Sequence, residues 1–199
     1  MSPSGLVRLA LLGEGLLVVV ALVWQGLREI PMTMGDPLTG ILIGLVVAGI
    51  MAGVNAWVLC SAPDLSMVRS IRRLYLTTLK PMFREVRGTE IVVVSLAAGW
   101  GEELLFRGVL LPEVGLVGSS LIFGLLHTGG RGTLAFGAWA AVMGGALGQL
   151  AVWTGGLMAP VVAHAVYDAA AMSYIRWGRD CTAISSQPGL LVRDEGRSA

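Results

Sequence analysis

The chain has 199 residues, of which 55% are hydrophobic and only 14% are charged, and its formal net charge is +1. Its mean hydropathy of +0.76 lies well above that of soluble domains, in which about 25% of the residues are charged. These values exclude an ordinary soluble domain and indicate an integral membrane protein, for which no nucleic-acid partner is expected.

Six apolar stretches are long enough, or nearly so, to cross the hydrocarbon core of a bilayer as helices. In chain order they are residues 9–27, 38–60, 91–111, 114–128, 133–153 and 157–175. The third can cross only if its charged residues are buried within the protein, and the fourth is short enough to need local bilayer thinning or a packed bundle. Gly155 and Gly156 divide the last two, because the uncharged run around them is too long for one crossing. The first is expected to be retained, since Glu14 interrupts it and no cleavage site of a signal peptide follows.

The loop between residues 61 and 90 predicts an additional helix at the membrane surface. Its apolar residues recur at helical spacing while its basic residues gather on another side, and Pro81 is expected to break or kink the helix. The apolar set is Val68, Ile71, Tyr75, Leu79, Met82 and Val86, and the basic set is Arg69, Arg73, Lys80, Arg84 and Arg87. Because a basic residue near a bilayer gains about 1 kcal/mol from anionic headgroups, anionic lipids are predicted partners. A solvated loop that only fixes the topology is the alternative.

The predicted fold is therefore an all-α bundle of about six transmembrane helices with an amphipathic interfacial helix. We divide it into residues 1–90, with two transmembrane helices and the basic segment, residues 91–175, a four-helix core, and residues 176–199, a flexible tail. Twelve of the fourteen basic residues fall on the face that holds both termini, and this bias makes that face cytoplasmic. Cys60 and Cys181 are assigned to the same reducing side and are expected to be unpaired and inert.

Seven ionisable residues in the predicted spans form the candidate functional set, because a charge at a helix centre costs about 2.5–3.5 kcal/mol to insert. They are Glu14, Glu102, Glu103, Arg107, His127, His164 and Asp168. Glu103 and Arg107 are four residues apart and can pair on one helix face. Glu102 is turned about 100° from Glu103 and has no partner in its own helix. Glu14, near the cytoplasmic end of its helix, is predicted to snorkel or pack and is left outside the site.

Three short motifs follow one another in the chain, "EELLFR", "FGLLH" and "HAVYD". Their order resembles the EExxxR, FxxxH and HxxxN or HxxxD motifs of the CPBP family, the CAAX protease and bacteriocin-processing (Abi-type) intramembrane endopeptidases. The matching residues are Glu102, Glu103 and Arg107 in the first, Phe123 and His127 in the second, and His164 and Asp168 in the third. The resemblance covers roughly residues 91–175, less than half of the chain.

The resemblance implies hydrolysis of a peptide bond within the membrane. Glu102 and His127 would activate a water, His164 and Asp168 would stabilise the oxyanion, and Glu103, Arg107 and Phe123 would support the site. Family members often carry Asn at the last motif position, and an ionised Asp168 cannot donate to an oxyanion, so Asp168 is expected to orient His164 instead. The family implies chemistry without a metal or other cofactor. The alternative is a zinc ion held by Glu102, His127 and His164.

The implied substrate is a membrane-associated protein or peptide, with its C-terminal segment as one candidate, and the compact chain favours a bacterial inner membrane. Two other functions use the same residues. One is a catalytically silent binding, immunity or scaffold protein of the same family, and the other is a proton-coupled transporter. The small size of the chain, the lack of an evident inverted repeat and the scarcity of polar residues in the second and fifth spans argue against the transporter.

Overall fold

A computed structural model describes residues 3–129, 133–178 and 181. Every regular element in this part of the chain is helical, so the predicted all-α fold is confirmed. The α-helices are α1 (Pro3–Arg28), α2 (Pro37–Cys60), α3 (Ser66–Leu74), α4 (Lys80–Phe83), α5 (Gly88–Glu103), α6 (Leu111–Leu126), α7 (Leu134–Thr154) and α8 (Met158–Trp177). Two π-helical segments, π1 (Tyr75–Leu79) and π2 (Leu104–Leu110), join α3 to α4 and α5 to α6.

Four helical stretches are long and apolar enough to cross a membrane. They are Gly5–Arg28, Pro37–Cys60, Gly88–Leu126 and Leu134–Thr154. Large apolar side chains cover their outer faces, and Leu27 and Trp153 are each 79% exposed. Such a surface suits contact with lipid rather than water. The protein is therefore an integral membrane protein, in which α8 is less apolar because it carries polar residues that face the interior.

The stretch from α5 to α6 reverses direction at Gly115. This residue has φ 74° and ψ 174°, a conformation open to glycine but not to ordinary side chains. Ser119 Oγ consequently donates a hydrogen bond to the carbonyl of Phe106 over 2.8 Å, across thirteen residues of sequence that a continuous helix would separate by roughly 20 Å. The chain after Gly115 thus folds back along π2. This reversal separates the third and fourth predicted spans.

Small residues bring α2 close to α8. Gly40, Gly44 and Ala48 recur every four residues and are buried, and a methyl group at Gly44 would lie 2.7 Å from the carbonyl oxygen of Ala159. This spacing of small residues is typical of membrane helices whose backbones approach closely. Helix α8 also packs on α5, so its polar residues are enclosed between neighbouring helices.

One end of the bundle is closed by the loop that follows α1. The main-chain N–H groups of Leu157 and Met158 donate to the carbonyls of Thr33 and Met34 over 3.1 and 3.0 Å. Helix α7 ends at Thr154 and α8 begins at Met158, which confirms the break predicted at Gly155–Gly156. The turn depends on Gly155, whose φ of 65° is left-handed.

The basic segment, residues 66–83, covers the other end. Arg72 is buried and donates to the carbonyls of Val58 over 3.1 Å and Ala62 over 2.9 Å, groups that the end of α2 leaves unpaired. The disturbance predicted at Pro81 takes the form of π1, in which the N–H of Lys80 bonds to the carbonyl of Tyr75. Pro81 then begins a new α-helical turn, where its missing N–H is tolerated.

Cys60 and Cys181 form a disulfide, so the prediction of two unpaired cysteines is wrong. The end of α2 and the segment after α8 lie side by side, with the two Cα atoms 5.1 Å apart, a proximity that the distance along the chain concealed. The tail residues 182–199, predicted to be flexible, lie outside the described residues, as does Arg131.

Candidate active site

The adjacent carboxylates Glu102 and Glu103, at the end of α5, face different surroundings. The side chain of Glu103 is fully buried, whereas that of Glu102 is 13% exposed and borders a cavity. The separation predicted from their angle on the helix is therefore present. One carboxylate is enclosed by protein and the other faces space that a small molecule or peptide can enter.

Glu103 joins three elements through one oxygen. Its Oε1 accepts hydrogen bonds from Arg107 Nη1 and His164 Nδ1, each over 2.7 Å, and Arg107 Nη2 donates to the carbonyl of Gly144 over 2.7 Å. The pairing predicted between Glu103 and Arg107 is thus present and extends to α7 and α8. Because Nδ1 of His164 holds its proton in this bond, the ring is oriented with Nε2 toward Glu102.

Asp168 does not hold the orienting position predicted for it. Glu103 occupies Nδ1 of His164, while Asp168 Oδ2 lies 3.6 Å from Nε2, beyond hydrogen-bonding distance. Glu103 orients the ring instead, because α5 packs against α8 and brings this carboxylate to a histidine 61 residues away. Spacing within one helix could suggest only the i,i+4 partner.

His127 ends α6 and is held by Phe123. The two rings are stacked with centroids 4.4 Å apart, and His127 Nδ1 lies 2.8 Å from the carbonyl oxygen of Phe123. A carbonyl only accepts, so Nδ1 carries a proton and the lone pair of neutral His127 is on Nε2. Phe123 also contacts the guanidinium of Arg107, 4.8 Å from its ring centroid, so this side chain links the buried ion pair to the histidine.

The two imidazoles converge on the carboxylate of Glu102. His127 Nε2 lies 3.8 Å from Oε1, and His164 Nε2 lies 3.5 Å from Oε2. The first gap is too long for a direct hydrogen bond and suits a water that bridges the two groups. The structure thus brings Glu102, His127, His164 and Asp168 to one place.

These side chains line a cavity of about 310 Å³, a volume within the usual range of ligand sites. Most of its walls are apolar and come from α2, α7 and α8. The basic segment forms its cover, with Ile71, Leu74, Tyr75, Leu79 and Phe83 lining the cavity. The helix predicted to lie on the membrane surface therefore also encloses the site.

Glu14, which is predicted to lie outside the site, lines the same cavity, as does Asn55. Helix α1 runs beside α5, and a methyl group at Gly101 would lie 2.8 Å from Glu14 Oε2, directly next to Glu102. Of the two roles predicted for Glu14, packing is present at Gly101, but the side chain also lines the cavity. Its charge in an apolar helix was the available signal, but its neighbours lie on other helices and left no local pattern.

Among the residues that the structure describes, no group of three His, Cys, Asp or Glu side chains is arranged to hold a metal ion.

Comparison with known proteins bears on the same region of the chain. Residues 89–170 match the family model described as type II CAAX prenyl endopeptidase Rce1-like. The chain is also similar to the uncharacterized protein YpbD of Bacillus subtilis (strain 168), with 34% identity over 98 residues, which are 49% of this chain and 52% of the relative. It thus spans about half the length of that relative, and no solved structure matches it. Residues 89–170, which hold all three motifs, are thus similar to the Rce1-like proteases of the CPBP family.

Proposed function

We propose that this protein is an intramembrane endopeptidase that hydrolyses a peptide bond of a membrane-associated protein or peptide. The observation that carries the proposal is the convergence of Glu102, His127 and His164, from three helical segments, on one cavity, with both Nε2 atoms within 3.8 Å of the carboxylate. A carboxylate beside two imidazoles in a largely apolar cavity suits general base catalysis and stabilisation of an oxyanion.

In the proposed reaction, a water held between Glu102 and His127 gives a proton to Glu102 as its oxygen adds to the peptide carbonyl carbon. The C–N bond then breaks, and the proton passes from Glu102 to the leaving nitrogen, so that a carboxylic acid and an amine are formed. His127 accepts a hydrogen bond from the water with Nε2, because its Nδ1 proton is directed at the carbonyl of Phe123.

His164 is the proposed donor to the oxyanion. Its Nδ1–H group already donates a hydrogen bond to Glu103. Nε2 can therefore donate only when the ring is doubly protonated. Glu102, Glu103 and Asp168 approach the ring to 3.5, 2.7 and 3.6 Å and can balance the charge of an imidazolium. In this mechanism the negative charge of Asp168 stabilises the protonated ring of His164. The hydrogen bond from Nδ1 to Glu103 fixes the orientation of that ring.

The proposed setting is a bacterial inner membrane with the basic segment and both termini in the cytoplasm, as the distribution of basic residues favours. Anionic lipid headgroups are the proposed partners of the outward basic side chains, such as Arg69, whose side chain is 49% exposed beside Asp64. Arg72 is excluded from this role because it turns inward to the end of α2. The C-terminal segment of a membrane protein is the proposed substrate region.

The test compares membrane proteins from cells that produce the wild type, Glu102→Gln, His127→Asn or His164→Asn. Glu113→Gln is the matched control, because Glu113 pairs with Arg28 over 3.3 Å and does not line the cavity. New protein N-termini are mapped by mass spectrometry. We expect a set of N-termini that the wild type and the control produce and the three site variants do not.

If the three folded site variants give the same N-termini as the wild type, the protease proposal is wrong. A partner that co-purifies uncleaved with every variant and with the wild type would indicate the catalytically silent binding protein instead.

A further inference from the structure

We propose that Glu14 of α1 binds a main-chain N–H group of the substrate next to the scissile bond. The inference rests on the proposed endopeptidase function and adds to it a residue that lies outside the three motifs and outside the matched region.

The packing of α1 around π2 places Glu14 at the site. Leu17, Val18 and Ala21 pack into the core around π2, and Glu14 lies about one helical turn earlier on the same face. Its carboxylate rests on the backbone of Gly101, where a methyl group would lie 2.8 Å from Oε2 and 3.0 Å from the carbonyl oxygen of Glu14. Glycine at position 101 therefore leaves the space that this carboxylate occupies.

The carboxylate of Glu14 has unused capacity to accept a hydrogen bond. Its Oε2 is buried, and no protein group that the structure describes donates to it. Nδ1 of His164, whose ring lines the same cavity, donates to Glu103 instead. A carboxylate inside a membrane helix is costly, and packing of α1 against α5 does not require one.

A substrate bound for cleavage supplies the hydrogen-bond donor that Glu14 lacks. A peptide bond open to attack belongs to an unwound segment, whose N–H groups have lost their helical partners and are costly to leave unpaired away from water. Glu14 shares one cavity with Glu102, His127 and His164 and can accept from such a group. An ionised carboxylate cannot donate and repels another carboxylate, so Glu14 selects a main-chain N–H over a free C-terminal carboxylate at this position.

The experiment uses the purified full-length protein and a synthetic peptide that spans a cleavage site mapped for the wild type. We compare Glu14→Leu, which removes the acceptor, with Glu14→Gln, which keeps an acceptor oxygen of similar shape. Gly15→Ala is the control, because a methyl group at Gly15 meets nothing within 4 Å. We expect Glu14→Leu to raise KM about 10- to 100-fold with a much smaller change in kcat, and Glu14→Gln to stay within about fivefold of the wild type.

Thermal unfolding of each variant separates a binding role from a structural one. We expect Glu14→Leu to be at least as stable as the wild type, because it removes a buried acceptor that the protein leaves unpaired. A wild-type KM for Glu14→Leu, an equal loss in Glu14→Gln and Glu14→Leu, or a lower melting temperature of Glu14→Leu would overturn the inference. If cleavage depends on Glu102 while Glu14→Leu behaves as wild type, this inference alone fails. Cleavage that is absent, or unaffected by Glu102→Gln, overturns the proposed function and this inference with it.

Discussion

The buried ion pair between Arg107 and Glu103 offers a direct test of how the site is held together. Their side chains are 2% and 0% exposed. Arg107 donates one hydrogen bond to Glu103 Oε1 and one to the carbonyl of Gly144, both over 2.7 Å. The substitution Arg107→Met supplies a long apolar side chain but removes both hydrogen bonds, and it leaves Glu103 with the contact to His164 but without its guanidinium partner.

The expected cost follows from these contacts. A hydrogen bond that involves a charged group contributes about 1.5–3 kcal/mol, so the two bonds together amount to about 3–6 kcal/mol. Removal of one partner from a buried pair costs about 3–5 kcal/mol, and we expect Arg107→Met to lower the free energy of unfolding by that amount. The double variant Glu103→Leu/Arg107→Met should regain part of the loss, because it leaves no isolated buried charge.

Unfolding in mixed micelles with increasing SDS, followed by circular dichroism, measures both variants. Arg28→Met is the matched control, since Arg28 pairs with Glu113 over 3.3 Å with its side chain 62% exposed, and an exposed pair contributes at most about 1 kcal/mol. Cleavage should be lost in the double variant even where stability returns, because His164 loses the carboxylate that orients it. A cost below about 1 kcal/mol for Arg107→Met, or strictly additive losses in the double variant, would refute the reasoning.

Three further outcomes are expected. Gly44→Val should lower the free energy of unfolding by about 1–3 kcal/mol, because a methyl group there lies 2.7 Å from the carbonyl oxygen of Ala159. Gly53→Ala, which meets nothing within 4 Å, should change it by less than about 1 kcal/mol, and equal effects in the SDS titration would contradict close packing of α2 on α8. Because Cys60 and Cys181 form a disulfide, the purified protein should resist labelling by a maleimide until a reductant is added, and equal labelling with and without reductant would contradict this pairing. Peptide cleavage should survive exhaustive chelation, and loss that is reversed by stoichiometric zinc would instead establish metal dependence.

Properties that depend on residues close together in the chain could be predicted from the amino-acid sequence. Hydropathy determined the membrane class and the all-α fold, because a helix must satisfy its backbone internally in lipid. The break at Gly155–Gly156 and the pairing of Glu103 with Arg107 followed from local spacing. The same spacing separated Glu102 from Glu103 before any contact was known.

Tertiary packing alone decided which of these groups meet. Glu103 rather than Asp168 orients His164, Glu14 reaches the cavity, and Cys60 lies beside Cys181, because each contact joins segments that are distant in the chain. The rotation and depth of a membrane helix are set by close packing against its neighbours rather than by its hydropathy. The charge of Glu14 is therefore visible in the sequence. Its neighbours, however, are determined by the close packing of α1 against α5 at Gly101.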